Sequence, residues 1–375
     1  MNFLNLLRLS CSLLLASSLL TLSSCSKSSE CLFPRDDVET QVTQQIAEDR
    51  LPITQIEFSP TENLLITASL DARVNIWNLD GSKLATLREP ESEIVQDNLI
   101  HFATIPRLNR IVTVTAGGIG RFWELSGEQL GAFHIHNGSV SKIAISPNEE
   151  LMAIASHDGT VEIWNLDGEQ MYSLHRHTGS VSDIVFSPDS NKLISSSNDK
   201  TAVIWDFLTD QSITLSGHEA ELRDVDVSAD GNYILTSSLD STARIWNISG
   251  EFLTLLEGHR ESVSSGDFSE DRQKIVTASA DNTARIWDMS GNQLSVLRGH
   301  QSGLSSAIFN SKGTLVLTTA YDSSVRLWDA SCGYQVASLT DGDTTLGIFS
   351  NTRPNTLVTA SYNGLTSLWS VDGID

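Results

Sequence analysis

The sequence predicts an all-β protein, an eight-bladed β-propeller whose ring is closed by an N-terminal strand completing the last blade. Three observations predict it. The tryptophans recur at a nearly constant interval, each stands in the same pattern of short strands and turn residues, and the strand count leaves one blade a strand short. Self-similarity at 40–45 residues, with several short alternating strands per unit, marks the blades of a propeller.

The eight tryptophans are Trp77, Trp123, Trp164, Trp205, Trp246, Trp287, Trp328 and Trp369, spaced by 46 residues and then by 41 six times over. The sixth unit shows the pattern. Gly258-His259 is followed by SVSSGDFSED, KIVTASAD, TARIWDMSG and QLSVLRGH, which read as strands a, b, c and d with a tight turn, an Asp turn and a Gly turn between them. These in-phase copies resemble the WD40 repeat family over about 330 residues.

Each tryptophan brings its own a, b and c strands. A d strand follows the first seven, but after Trp369 only SVDGID remains. Shifting the sixth unit back by five repeat lengths aligns Val42-Thr43-Gln44-Gln45-Ile46 with Phe252–Leu256, the d strand before His259. The N-terminal segment is therefore expected to supply the missing outer strand and leave no open seam. The competing reading is a seven-bladed ring with a loose extra repeat. The propeller is expected over residues 39–375.

Ahead of it, residues 1–24 are different material. Arg8 precedes an apolar run from Leu9 to Leu22, and the segment holds no Asp or Glu. The run is short of the roughly 20 residues that span a bilayer as a helix, so it reads as a secretory signal. It ends in Leu22-Ser23-Ser24-Cys25, which resembles the lipobox of bacterial lipoproteins. That resemblance implies cleavage before Cys25 and lipidation of Cys25, and two or three acyl chains hold a protein on a membrane firmly. An ordinary secretory cut and an uncleaved anchor are the alternatives. Residues 25–38 are polar and read as a flexible tether, about fifteen residues reaching roughly 50 Å when extended. The expected location is the cell envelope: the outer membrane if the cell has two membranes, otherwise the outer face of the plasma membrane.

The net charge of −23 argues against nucleic acid as a partner. Four cysteines are too few for a disulfide scaffold. After cleavage Cys31 and Cys332 remain besides Cys25, and an exported chain permits them to pair. Cys332 falls on the c–d turn of blade seven, at the bottom, where the tether should arrive. Two free thiols are the other reading.

The family resemblance assigns a recurring Asp–His–Ser–Trp network to positions fixed relative to each tryptophan. It is complete in blades three to six: His136, Ser156, Asp158 and Trp164; His177, Ser197, Asp199 and Trp205; His218, Ser238, Asp240 and Trp246; His259, Ser279, Asp281 and Trp287. A buried indole N–H needs an acceptor, so the set is structural. A hydrolase needs a nucleophile once, not in blade after blade. Gly117 in blade two, Ala320 in blade seven, and Asp341 with Asn363 in blade eight depart from the set, and those blades are expected to be looser. His134-x-His136 and His175-x-His177 suggest a metal only until their equivalents Ser216, Glu257 and Arg298 are read. Asp341-Gly-Asp343 lacks the further ligands of a calcium loop. No metal, cofactor or catalytic residue is expected.

In this family the d–a and b–c connections share the top face, which commonly binds partners. The residue before the turn Asp points up there: Leu70, Ala116, His157, Asn198, Leu239, Ala280, Tyr321 and Tyr362 in blade order. Adding the apolar residues Leu346, Pro52 and Ile100 near the start of strand a gives one expected sector over blades seven, eight, one and two. The five-residue insertion at Glu89–Glu93 borders it, as binding epitope or as solvated spacer. The expected function is a membrane-tethered scaffold for other proteins or peptides. A small-ligand or enzymatic channel, or an adhesive surface protein, are the competing classes.

Overall fold

A computed structural model describes residues 39–48, 51–59, 64–88, 100–135, 139–339, 343–350, 353 and 355–372. Among the described residues the sheets are eight, each of four antiparallel strands, and consecutive strands pair within a sheet. Blade one runs Ile53–Phe58, Leu64–Ser69, Arg73–Asn78 and Lys83–Arg88 as strands a to d. The eighth sheet is the exception in connectivity. Its a, b and c strands are Thr344–Phe349, Thr356–Ser361 and Leu365–Asp372, and its outer strand is Glu39–Glu48 from the other end of the chain. The pairing is antiparallel from Glu39 opposite Asp372 to Glu48 opposite Leu365, with irregularities after Val42 and after Gln45. Ring closure by the N-terminal segment, expected from the strand count, is thus observed, and the seven-bladed alternative falls.

Burial follows strand position. The b strands are covered on both faces; all six residues of Leu64–Ser69 are buried, its apolar residues interrupted only by the small hydroxyl side chains of Thr67 and Ser69. The d strands alternate instead, showing one face to water. Between blades the faces interdigitate into separate cores. Val114, Phe122 and Phe133 of blade two pack with Met152, Ile154 and Trp164 of blade three. At the closing seam, Ile46, Val358 and Leu368 of blade eight pack with Ile53, Phe58 and Trp77 of blade one. The seam has a core of the same kind as the other junctions.

Adjacent a strands are also tied by side chains that reach the next blade's backbone. The Gly266 and Phe268 amides donate to Asp224 (2.9 Å) and Asp226 (3.1 Å). The Phe309 amide donates to Asp267 (2.6 Å) and the Ala307 amide to Ser265 (3.1 Å). Burial pushes the Asp224 and Asp267 carboxyls well above the usual range and Asp226 to about 6. These acids hold the inner wall together although burial works against their charged form.

Candidate functional site on the face of the b–c turns

Of blades three to six, where the complete network was expected, blades four to six have it with one member changed. In blade five, Nδ1 of His218 meets Asp240 at 2.7 Å, and Nε2 meets the Thr236 hydroxyl at 2.9 Å. The Trp246 indole donates to that same hydroxyl at 3.0 Å. Blade four uses His177, Asp199, Ser195 and Trp205, and blade six uses His259, Asp281, Thr277 and Trp287, at similar distances. The relay hydroxyl therefore stands ten residues before the tryptophan, not eight. Ser197, Ser238 and Ser279 are corrected to a different role, in which they donate to carbonyls across the a–b pair and accept the amide of the turn Asp. Strand alternation puts positions ten and eight on one face, but position ten stands opposite the residue two before the tryptophan, one step nearer the indole than position eight.

Two further corrections follow. Blade seven was expected to be looser because Ala320 replaces serine, yet His300, Asp322, Thr318 and Trp328 form the full chain, and the Ser324 hydroxyl donates to Asp322. In blade three the position ten before Trp164 is Ile154, and the indole donates to Glu162 instead (3.1 Å). There Asp158 accepts the Thr160 amide and Ser156 is buried, while His136 lies outside the described residues. Burial lowers the pKa of His177, His218, His259 and His300, against the pull of the adjacent carboxylate. Asp199 and Asp240 are held below the usual range although burial opposes it, by the Thr201 or Thr242 hydroxyl and a backbone amide. These groups are internal struts.

The b–c turns share one face because each is tied to the residues entering strand a. The amides of Leu70, Tyr321 and Tyr362 donate to the carbonyls of Pro52, Gly303 and Asp343, at 3.0, 2.9 and 2.7 Å. His157, Asn198, Leu239 and Ala280 are tied in the same way. At these tips Tyr321 is 75% exposed, Tyr362 61% and Leu70 38%, and their blades are consecutive around the closed ring. Asn198, Leu239 and Ala280 are only partly exposed. Pro52 is half-buried beside Leu70.

Leu346 does not belong with them. It pairs with Ala360, one rung into the strand, level with Gln55, Lys142, Asp183 and Asp224, and packs against the core between blades eight and one. A bulge at the start of strand a shifts its facing by one residue, which simple counting misses. Ile100 opens strand a of blade two opposite Thr115; its side chain, Glu89–Glu93, Asp341, Cys25 and Cys31 lie outside what is described. Cys332 sits on the c–d turn of blade seven, its amide donating to Asp329 (2.8 Å), and it is disulfide-bonded.

Among the described residues no three His, Cys, Asp or Glu side chains are grouped to hold a metal. What the turns present is a rigid surface with aromatic and aliphatic tips on one side.

Known proteins bear on this geometry. The repeat described as "WD domain, G-beta repeat" matches residues 42–78, 127–165, 168–206, 210–247, 250–288 and 291–329. An uncharacterized WD repeat-containing protein of Synechocystis sp. is 25% identical over 121 residues, which is 32% of this chain and 35% of that protein. The chain thus aligns with about a third of that relative's length. A crystal structure of the computationally designed Ika8 protein superposes with a TM-score of 0.75 at 23% identity, over 87% of this chain and 98% of that one, a likeness of fold.

Proposed function

The chain belongs to the WD40 repeat family, and from that premise we propose that it is a lipid-anchored interaction platform that binds a protein or peptide partner on the face of its b–c turns. The observation that carries this reading is the clustering of Tyr321, Tyr362 and Leu70 as exposed tips on three consecutive blades. Tyrosine is favoured as a binding anchor because it joins a rigid apolar area to a hydrogen-bonding tip. The surrounding ring has the stiffness such a surface needs, since exposed anchors on fixed turns lose little conformational freedom on binding.

The anchor is Cys25. Cleavage before it leaves 23 basic and 47 acidic residues, a net charge of −24. Ser26 follows it, which under the sorting rule of many two-membrane bacteria favours the outer membrane. From the tether of residues 25–38 we pair Cys31 with Cys332, which lies at the bottom of the ring. That pairing turns the top face away from the membrane.

Metabolic labelling with a fatty acid should mark the parent and not Cys25→Ala; equal labelling of both removes the anchor. For the partner, crosslinking in membranes followed by purification should lose its captured protein in Tyr321→Ala with Tyr362→Ala, with little change in melting temperature. Capture kept by that variant but lost on changing Ser180 and Ser262 would move the site across the ring.

A further inference from the structure

Of the seven blades whose c and d strands are joined by a turn, one lacks the glycine that the rest place on their neighbour. In the other six the c–d turn lays a glycine with positive φ on the outer strand of the blade before it. The fit is close: a Cβ added at Gly250 would stand 2.6 Å from Ile213, and one at Gly291 would stand 2.7 Å from Thr254. Blade four has no glycine at this place. Its turn is built around Asp206, which accepts the Leu208 and Thr209 amides at 3.0 Å each, as Asp329 of blade seven accepts the Ser331 and Cys332 amides at 2.8 Å, but the left-handed residue that is Gly333 in blade seven is Asp210 here, φ 54°. A turn of side-chain-bearing residues cannot settle onto the neighbouring strand as a glycine does.

The effect is visible in blade three's outer strand, Gln170–His175. Leu174 is partly exposed, whereas its equivalents Leu87, Phe133, Leu215, Leu256, Leu297 and Leu339 are all buried. Tyr172 is 43% exposed. Between this strand and the rebuilt turn opens a groove of about 420 Å³. Tyr172 and Phe207, stacked with centroids 6.0 Å apart, form its floor, and Leu208 projects beside it, 73% exposed. Exposed Arg176 closes one end and exposed Asp210 the other.

We propose that this groove takes an extended peptide from a protein partner. The peptide adds antiparallel to the free edge of Gln170–His175, the pairing every blade already uses. It sets an apolar or aromatic side chain on Tyr172 and Leu174. Running from the Arg176 end to the Asp210 end, it carries an acidic residue before the apolar one and a basic residue after it. All outer strands leave an edge; the groove and its opposed charges single this one out. The proposal rests on the ring being a protein-binding platform, but it uses the rim and not the tyrosine-bearing face.

The test is fluorescence anisotropy with the full chain in detergent and two labelled peptides, Gly-Glu-Val-Phe-Val-Lys-Gly and its charge-swapped form Gly-Lys-Val-Phe-Val-Glu-Gly. Saturable binding with about a fivefold preference for the first is expected, the size two exposed charge pairs supply. Arg176→Glu with Asp210→Lys should reverse the preference, and Tyr172→Ala should weaken binding about tenfold or more, as loss of an aromatic anchor does. Tyr321→Ala with Tyr362→Ala should leave peptide binding at the parent level, so failure of the top-face reading shows separately. Equal affinity for both peptides, or unchanged binding by Tyr172→Ala, overturns the proposal. So does a dimer in sedimentation that Tyr172→Ala dissolves, which would give the groove to a second copy.

Discussion

Blades four to seven and blades one and eight are built on one template but secure their b–c turns differently. In blades four to seven the turn Asp reaches back 22 residues to the histidine at the end of the d–a connection. The same carboxylate takes a backbone amide there, as Asp281 does from Arg260 (3.1 Å). In blade one Asp71 accepts the Ser69 hydroxyl at 2.6 Å and meets Arg73 at 3.2 Å; in blade eight Asn363 accepts the Ser361 hydroxyl. Those bonds span two residues. A bond across 22 residues fixes one loop against another, while one across two shapes only its own turn. Among the described residues blades one and eight show only local staples, and they carry Leu70 and Tyr362 at their tips; blades four to seven have both devices, the hydroxyls of Thr201, Thr242, Thr283 and Ser324 each donating to their turn Asp, and of these blade seven carries Tyr321. Stiffening and recognition are thus separate uses of the same positions.

The largest change expected is from removing residues 39–47. This strips the outer strand from blade eight, uncovers the core that buries Ile46, and leaves the strand Leu365–Asp372 as a bare edge. The melting temperature should fall further than for Trp246→Ala, a core truncation worth about 3–5 kcal/mol. A deletion variant that melts like the parent would show that blade eight does not depend on its borrowed strand.

Next in size is the relay hydroxyl, which compares the two groups of blades directly. Thr277→Val leaves both the His259 ring nitrogen and the Trp287 indole without their shared partner, at a cost of about 2–4 kcal/mol. Thr359→Val in blade eight removes the partner of the Trp369 indole, at about 1–2 kcal/mol. Ser279→Ala should cost about 1 kcal/mol, since its hydroxyl serves one carbonyl and one amide near the turn. Urea denaturation orders the three, and equal losses for Thr277→Val and Thr359→Val would erase the distinction.

A smaller effect depends on pH. The folded-state pKa of Asp226 is raised by burial, to about 6, so its contribution is fully present below the unfolded value near 4 and is lost as pH rises through about 6. Across that window Asp226→Asn should gain on the parent, by about 3 kcal/mol above pH 7. The histidines work in the opposite sense. Their lowered values mean stability is lost as pH falls below about 6.5, where the unfolded chain binds protons more readily. A parent-to-variant difference that does not change between pH 4 and 8 would contradict the burial of that carboxyl.

Much of this was readable in the residues. Tryptophan spacing and the missing d strand led to eight blades and to the pairing of Val42–Ile46, because period and strand count survive any local irregularity. The relay hydroxyl was missed although its signal is in plain view: Thr67, Thr113, Ser195, Thr236, Thr277, Thr318 and Thr359 stand ten residues before their tryptophans. The more conspicuous serines at the next position on that face drew the assignment. Leu346 was misplaced because the bulge that re-aims strand a leaves no mark in composition. The groove had a signal in the c–d turn of blade four, which has no glycine and puts Asp210 in the left-handed place, but its consequence, a partly exposed Leu174, belongs to the neighbouring blade and is set by packing.

The most direct test of the proposed recognition face is a photo-crosslinking side chain placed at Tyr362 and, separately, at Asn198 on the opposite side of the ring. In native membranes the Tyr362 position should crosslink a discrete partner and the Asn198 position should give little or none. A partner crosslinked from Asn198 and absent from Tyr362 would contradict the account.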